Sequence, residues 1–364
     1  MSDSYRILAI NPGSTSTKIS VFESEREVWS TKLTHSKEEL SDYDHIFDQY
    51  EFRKGVILNE LQKAGFDISA FDAIVGRGGV VYPVEGGTYS IDDRLIEDLH
   101  KGVQGEHVSN LGAPIAKELS ITAGCPAFIV DPVVVDEMET LARFSGHPDL
   151  PRRSIFHALN QKAVARMAAA DLGRSYSDLN LIVVHLGGGI SVGAHRNGRV
   201  IDVNNALNGD GPFTPERSGG LPVGDLVELC FSGKRAHNEI KRMIKGAGGI
   251  VAYLGTNDML TVEKEIEKGN SRYDIVYSAM AYQISKEIGA LSTVLEGNVD
   301  AIVLTGGIAY DRGFIDRITR RVKFISDVLV YPGEKEMEAL ALGALRVLLN
   351  EETAKNYNPE GKVP

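Results

Sequence analysis

A chain of 364 residues, 43% hydrophobic and 24% charged, is long enough for two cored domains and has the composition of a globular rather than a disordered protein. A net charge of −11 with no basic run leaves nucleic-acid binding unsupported, so an anionic substrate must be met by local cations. Two cysteines, Cys125 and Cys230, form neither a disulfide framework nor a CxxC pair. The opening MSDSYR carries no secretion signal, and no run approaches the roughly 18 apolar residues of a membrane span, which predicts a cytoplasmic location.

The first element is Ile7 to Phe22, ILAINPGSTSTKISVF, two apolar strand-like runs around a turn assigned to Pro12 and Gly13. Asn11, Ser14, Thr15, Ser16 and Thr17 place short polar groups beside backbone N–H groups, and Lys18 adds a point charge, a combination suited to phosphate. An ordinary hairpin with a polar turn gives the same pattern. Further on, the buried-type strand Ala73 to Gly76 delivers Arg77 into a Gly-rich turn, where a guanidinium can fork onto a carboxylate or phosphoryl oxygen. The alternative is a surface arginine beside a flexible loop. Asp131 ends the run Ala127 to Val130 at the carboxyl end of a parallel-type strand, placed to orient a nucleophile or a metal-bound water, or simply to form an Asp-Pro turn.

Ser145 to Ser154, SGHPDLPRRS, reads as a boundary between a domain spanning 1–150 and a second spanning 151–337. His157 then opens a helix pattern. Leu181 to His195, LIVVHLGGGISVGAH, repeats the plan of the first hairpin, with His185 where Asn11 sits and Gly187, Gly188 and Gly189 in the turn. The chain is therefore expected to fold as two related α/β halves in tandem. Asn204 to Asp225, which carries Arg217, is too elaborate for a routine connection and predicts a lid or a site-lining loop. Gly246 to Gly249 with Thr256, Asn257 and Asp258 forms a second polar loop, and Ile302 to Ile308 a third Gly turn. Glu334, Glu336 and Glu338 cluster after Pro332, and one of them can hold Mg²⁺ through water. The apolar helix at Leu340 to Leu349, within a segment 338–364, is expected to pack back onto the first domain, followed by a loosely held tail after Asn350 with Pro359 and Pro364.

Seven motifs in chain order resemble the acetate and butyrate kinases of the acetokinase group, within the sugar kinase, Hsp70 and actin superfamily: NPGSTSTK at Asn11, RGG at Arg77, VDPVV at Asp131, IFH at His157, HLGGG at His185, GPFTPE at Gly211 and LTGGI at Leu304. INPGSTSTK, VDPVVVDEM, IFHALNQ and GPFTPERSG look like the butyrate branch.

The resemblance implies two duplicated ribonuclease H-like (actin-like ATPase) domains with a central nucleotide cleft, and reversible phosphoryl transfer from ATP to a short-chain acid with Mg²⁺. Butyrate is the first expectation, with isobutyrate, acetate or propionate as alternatives. A sugar kinase or regulatory ATP-binding protein is the reading from a different class. By the same resemblance, Asn11, Ser14, Ser16 and Lys18 belong to a first phosphate region and His185 to Gly189 to a second. Asp258, Gly306, Gly307 and Ile308 fall to the adenosine site. Arg77 binds the carboxylate and the phosphoryl group, His157 and His185 stabilise the latter, Asp131 orients acceptor or metal, and Glu336 holds a metal water. Where acetate kinases carry a second arginine this chain has Pro222, and Arg217 is the expected replacement. Where they carry a pocket-wall valine it has Gly79, which predicts a longer pocket closed by Phe156 and Pro215. Two further buried methylenes at about 0.8 kcal/mol each would favour butyrate by roughly 1.5 kcal/mol. A homo-oligomer, at least a dimer, is the family expectation.

Overall fold

The computed structural model describes residues 4–359. They form two compact units, one built from the chain up to Asp136 together with the segment from Lys335 onward, the other from Glu137–Glu334.

In the first unit, β1 (Arg6–Gly13), β2 (Ser16–Glu23) and β3 (Arg26–Thr34) form an antiparallel meander, continued on the β1 side by β4 (Ala73–Arg77), β5 (Thr88–Ser90) and β6 (Ala127–Val130) in the order β3-β2-β1-β4-β6-β5. β4 runs parallel to both β1 and β6. Because both faces of the central strands are covered, β1 and β4 are near-continuous apolar runs. The helix Gly112–Ala123 packs on β4 and β6, and the helix Glu336–Leu348 on β1, β4 and β6. The second of these buries Met337, Leu340, Ala341, Ala344 and Leu345, the three-four spacing of one helix face. Two glycines set how closely helices approach: a Cβ on Gly343 would strike Val130, and one on Gly76 would strike the carbonyl of Gly112.

The second unit repeats the plan. β7 (Asn180–Leu186), β8 (Ile190–Arg196) and β9 (Arg199–Val203) form the meander, and β10 (Ala301–Gly306) and β11 (Val328–Pro332) add parallel strands beside β7, in the order β11-β10-β7-β8-β9. One face carries the helices Ser271–Val294 and Arg312–Val322, with Met280, Ile284, Ile288 and Phe314 fully buried against Ile182, Val184 and Ile302. The other carries the helix Ala158–Asp171, whose Val164, Ala165 and Ala168 pack on Leu181, Val183 and Val303. The duplication expected from the two hairpins is thus present as strand order and strand direction.

Three expectations are corrected. The unit boundary lies at Asp136/Glu137, not at residue 150, because 137–150 is tied into the second unit: Glu137 pairs with Lys162, and the Glu139 N–H donates to Ile201 O. Proline and glycine at 145–154 mark a loop, which composition cannot distinguish from a boundary. The tail is not loose as far as Tyr357: Lys355 exchanges backbone hydrogen bonds with Thr88 and Ser90 on β5, and Tyr357 is buried with its hydroxyl donating to Asp98. Residues 360–364, including Pro364, lie outside the described residues. Finally, β1 runs on through Gly13, which pairs with Ser16, so Ser14 and Thr15, not Pro12 and Gly13, make the turn.

Candidate active site

The polar groups of the first unit meet at the carboxyl ends of β1 and β4. Arg77 is the last residue of β4, and its guanidinium pairs with Glu336 Oε1 at 2.5 Å, both side chains about one-fifth exposed. The other oxygen, Oε2, accepts from Asn11 Nδ2 at 2.8 Å. Glu336 opens its helix, where the unpaired N–H groups of the first turn favour a carboxylate. Three sequence-predicted residues from distant parts of the chain are therefore one cluster. Glu338 pairs instead with Lys335 at 3.5 Å, and Glu334 belongs to the other unit. Lys18 is exposed on β2, in register with Asn11. Ser14 is exposed in the turn and Ser16 half-buried at the start of β2.

Beneath this turn lies a residue that sequence reasoning missed. Arg53 is fully buried, its NH1 donating to Gly13 O (3.0 Å), Ser16 O (3.1 Å) and Thr17 Oγ1 (3.0 Å), NH2 to Ser14 O (3.2 Å) and Nε to Gln49 Oε1 (3.0 Å). Burial pushes its pKa down to about 10, which leaves it charged at neutral pH. The guanidinium gathers the carbonyls of the turn on the inner side and adds positive potential under it. The available signal was a charged residue on the apolar stripe Arg53, Ile57, Leu61 of the helix Tyr50–Lys63.

Asp131, one residue past β6, is buried with φ of 37°, a backbone region that non-glycine residues rarely occupy. Its Oδ1 accepts from the Gly87 N–H at 2.7 Å, and its own N–H donates to Gly87 O at 3.0 Å. Gly79 does not have the role expected of it. A Cβ there would overlap Leu99 Cδ2 and Asn110 Oδ1, so glycine permits close packing within the unit and the missing side chain leaves no pocket space.

In the second unit His157 and His185 stack, ring centroids 3.8 Å apart and planes 13° from parallel. His157 is the N-cap of the helix Ala158–Asp171 and His185 is the penultimate residue of β7. His185 Nδ1 donates to Asn160 Oδ1 at 2.8 Å. Gly187, Gly188 and Gly189 form the turn that follows, with Gly187 N–H donating to Gly189 O at 3.2 Å. The GPFTPE loop closes on this turn: Thr214 Oγ1 donates to Gly188 O at 2.6 Å. Arg217 lies against it as well, since a Cβ on Gly189 would overlap the guanidinium. Its NH1 donates to Ala206 O at 2.6 Å, its Nε is buried without a hydrogen-bond partner, and burial holds its pKa below the ordinary arginine value.

Gly306 (φ 95°) ends β10 so close to β7 that a side chain would strike Leu186, and Gly307 and Ile308 follow in a single helical turn. Asp258 is exposed and caps the helix Met259–Glu267; the Thr261 hydroxyl, donating at 2.6 Å, holds its carboxyl below the usual range. Phe156 and Pro215 are both buried in this unit.

The strand order and the two matching hairpins define a duplicated ribonuclease H-like fold of the actin type. Residues 148–325 match the model of the acetokinase family. The chain is 56% identical over 353 residues to butyrate kinase 2 of Clostridium acetobutylicum, covering 97% of this chain and 99% of that one. The acetate kinase structures from Porphyromonas gingivalis (TM-score 0.77, 19% identity, 95% of this chain and 100% of that one) and Entamoeba histolytica (TM-score 0.75, 17%, 95% and 100%) share the fold. The chain belongs to the acetokinase family, whose members transfer a phosphoryl group between a nucleotide and a carboxylic acid.

Proposed function

We propose that this enzyme phosphorylates butyrate reversibly to butyryl phosphate with ATP, a reading carried by the 56% identity over essentially the full length of a butyrate kinase. A carboxylate oxygen attacks the terminal phosphorus as the bond to the ADP oxygen breaks, and the two anions must be held in line against their repulsion. Arg77 binds the acid and the transferring oxygens, with its guanidinium aimed by Glu336 and Glu336 in turn held by Asn11. His157 donates to the phosphoryl group with the His185 ring stacked on it, Lys18 and the turn over Arg53 serve the phosphates, and Arg217 acts as the second arginine.

The residues present fit Mg²⁺ held through water. Glu336 Oε1 meets Arg77 and Oε2 accepts from Asn11, and a carboxylate oxygen can accept from a metal-bound water alongside such a partner. Among the described residues no group of three His, Cys, Asp or Glu could hold a metal, so phosphate and water would supply most of the ligands. Magnesium would neutralise charge on the phosphates; alignment falls to the protein.

With Mg-ATP and hydroxylamine, the purified protein is expected to yield acyl hydroxamate faster with butyrate than with acetate, and none with glucose. Equal or faster turnover on acetate would remove butyrate as the preferred acid. We also assign the protein to the cytoplasm as a homo-oligomer. Val223, Val227 and Phe231 on the helix Val223–Phe231 are exposed and apolar, and among the described residues no helix is long and apolar enough to cross a membrane. Light scattering is expected to give at least twice the chain mass; a monomer would contradict it, as would recovery of the protein outside the soluble cell fraction for the location.

A further inference from the structure

The hydrogen-bond directions behind His157 are determined by a buried relay. Ser191, Gly193 and His195 alternate along one face of β8, and the Gln161 side chain lies over Gly193, where any Cβ would strike its Oε1. Gln161 Nε2 donates at 2.9 Å to the carbonyl of Ser191, which can only accept, so the orientation of the amide is settled. The same nitrogen donates to Ser191 Oγ at 2.8 Å. Gln161 Oε1 must then accept from His195 Nε2 at 3.0 Å, and His195 Nδ1 accepts from the Tyr176 hydroxyl at 2.8 Å. His195 is fully buried and burial pushes its pKa down to about 3, in keeping with a neutral ring that donates from one nitrogen only.

Ser191 Oγ, already accepting from Gln161 and at 3.5 Å from the His157 backbone N–H, has its own proton to place, and His157 Nδ1 lies 2.9 Å away. A proton on Nδ1 would give the hydroxyl a third donor and leave its own hydrogen unplaced. We infer that the relay from Tyr176 through His195, Gln161 and Ser191 fixes His157 as the neutral tautomer that carries its proton on Nε2. His157 then donates from Nε2 to an anionic oxygen. A second proton would meet the serine hydrogen at Nδ1 and would place a cation face to face with the stacked His185 ring. Gln161 and Ser191 are therefore positioning residues. The inference rests on the acyl-kinase reading only for the identity of that anion.

The test is the imidazole ¹⁵N spectrum of the enzyme labelled at histidine, with His157 assigned by loss of its signals in His157→Asn. Wild-type His157 is expected to be neutral with the proton on Nε2; a proton on Nδ1, or on both nitrogens at neutral pH, would overturn the proposal, whether or not any acid is a substrate. In Gln161→Glu the new carboxylate takes the serine hydrogen. The His157 proton is then expected to leave the Nε2-only state, with kcat falling about tenfold or more and KM for ATP changing less than about threefold. Ser191→Ala should act alike. A variant that keeps both the wild-type tautomer and the wild-type kcat would exclude a positioning role for the residue changed. Absence of kinase activity with an Nε2-protonated His157 would instead reject the substrate assignment alone.

Discussion

Gly79 illustrates how far a single residue can be judged from its neighbours in sequence. A glycine two residues after the strand arginine, where acetate kinases carry valine, suggests a longer pocket, but its Cβ direction is filled by Leu99 and Asn110, which come from 20 and 31 residues further along the chain. The preference for butyrate therefore rests on the relative, and Gly79 contributes to packing. Gly79→Val is expected to lower stability by about 1–3 kcal/mol through overpacking, read as a fall in thermal midpoint, with no gain in acetate over butyrate. A well-folded variant that turns to acetate would restore the pocket-wall reading. Arg77, Asp131 and His185 could be singled out in the sequence because each lies at a strand end, where a polar residue interrupts an apolar run, and His157 because it opens a helix. Arg53 was not, since its partners are turn carbonyls 37 to 40 residues away and its single local mark is a charge on an apolar stripe.

At the scale of elements, the first hairpin and the helix Tyr50–Lys63 form a device in which the helix supplies the cation and the hairpin supplies the turn. Hairpins were visible as paired apolar runs. The support behind them was invisible, because hydrophobic periodicity identifies a buried face without identifying the polar exception on it. Arg53→Met keeps the bulk and removes every hydrogen bond to Gly13, Ser14, Ser16 and Thr17. Each bond to a charged donor is worth about 1.5–3 kcal/mol, so chemical denaturation is expected to show a loss of at least about 2 kcal/mol. KM for ATP is expected to rise roughly tenfold with a smaller change in kcat. Unchanged stability and KM would separate Arg53 from the phosphate turn. The relay over β8 has the same character in the second unit, a polar chain placed behind the His157 ring.

For the molecule as a whole, the two units share a strand order but have different chemistry. The first holds the Arg77–Glu336–Asn11 cluster, the second the stacked histidines and Gly turn with Arg217. The duplication could be read from sequence because strand–turn–strand repeats survive divergence of everything between them. The unit boundary could not, because it depends on contacts such as Lys162 with Glu137 and not on loop composition. The helix Glu336–Leu348 joins the ends of the chain within one unit and brings Glu336 to a guanidinium 259 residues earlier.

Arg77 is assigned as the cation that holds the acid for transfer, and Arg77→Ala measures this most directly when turnover and ADP binding are followed together. The expected result is a loss of turnover of about a hundredfold or more, with calorimetric affinity for ADP within about threefold of wild type. Turnover near the wild-type value would contradict it.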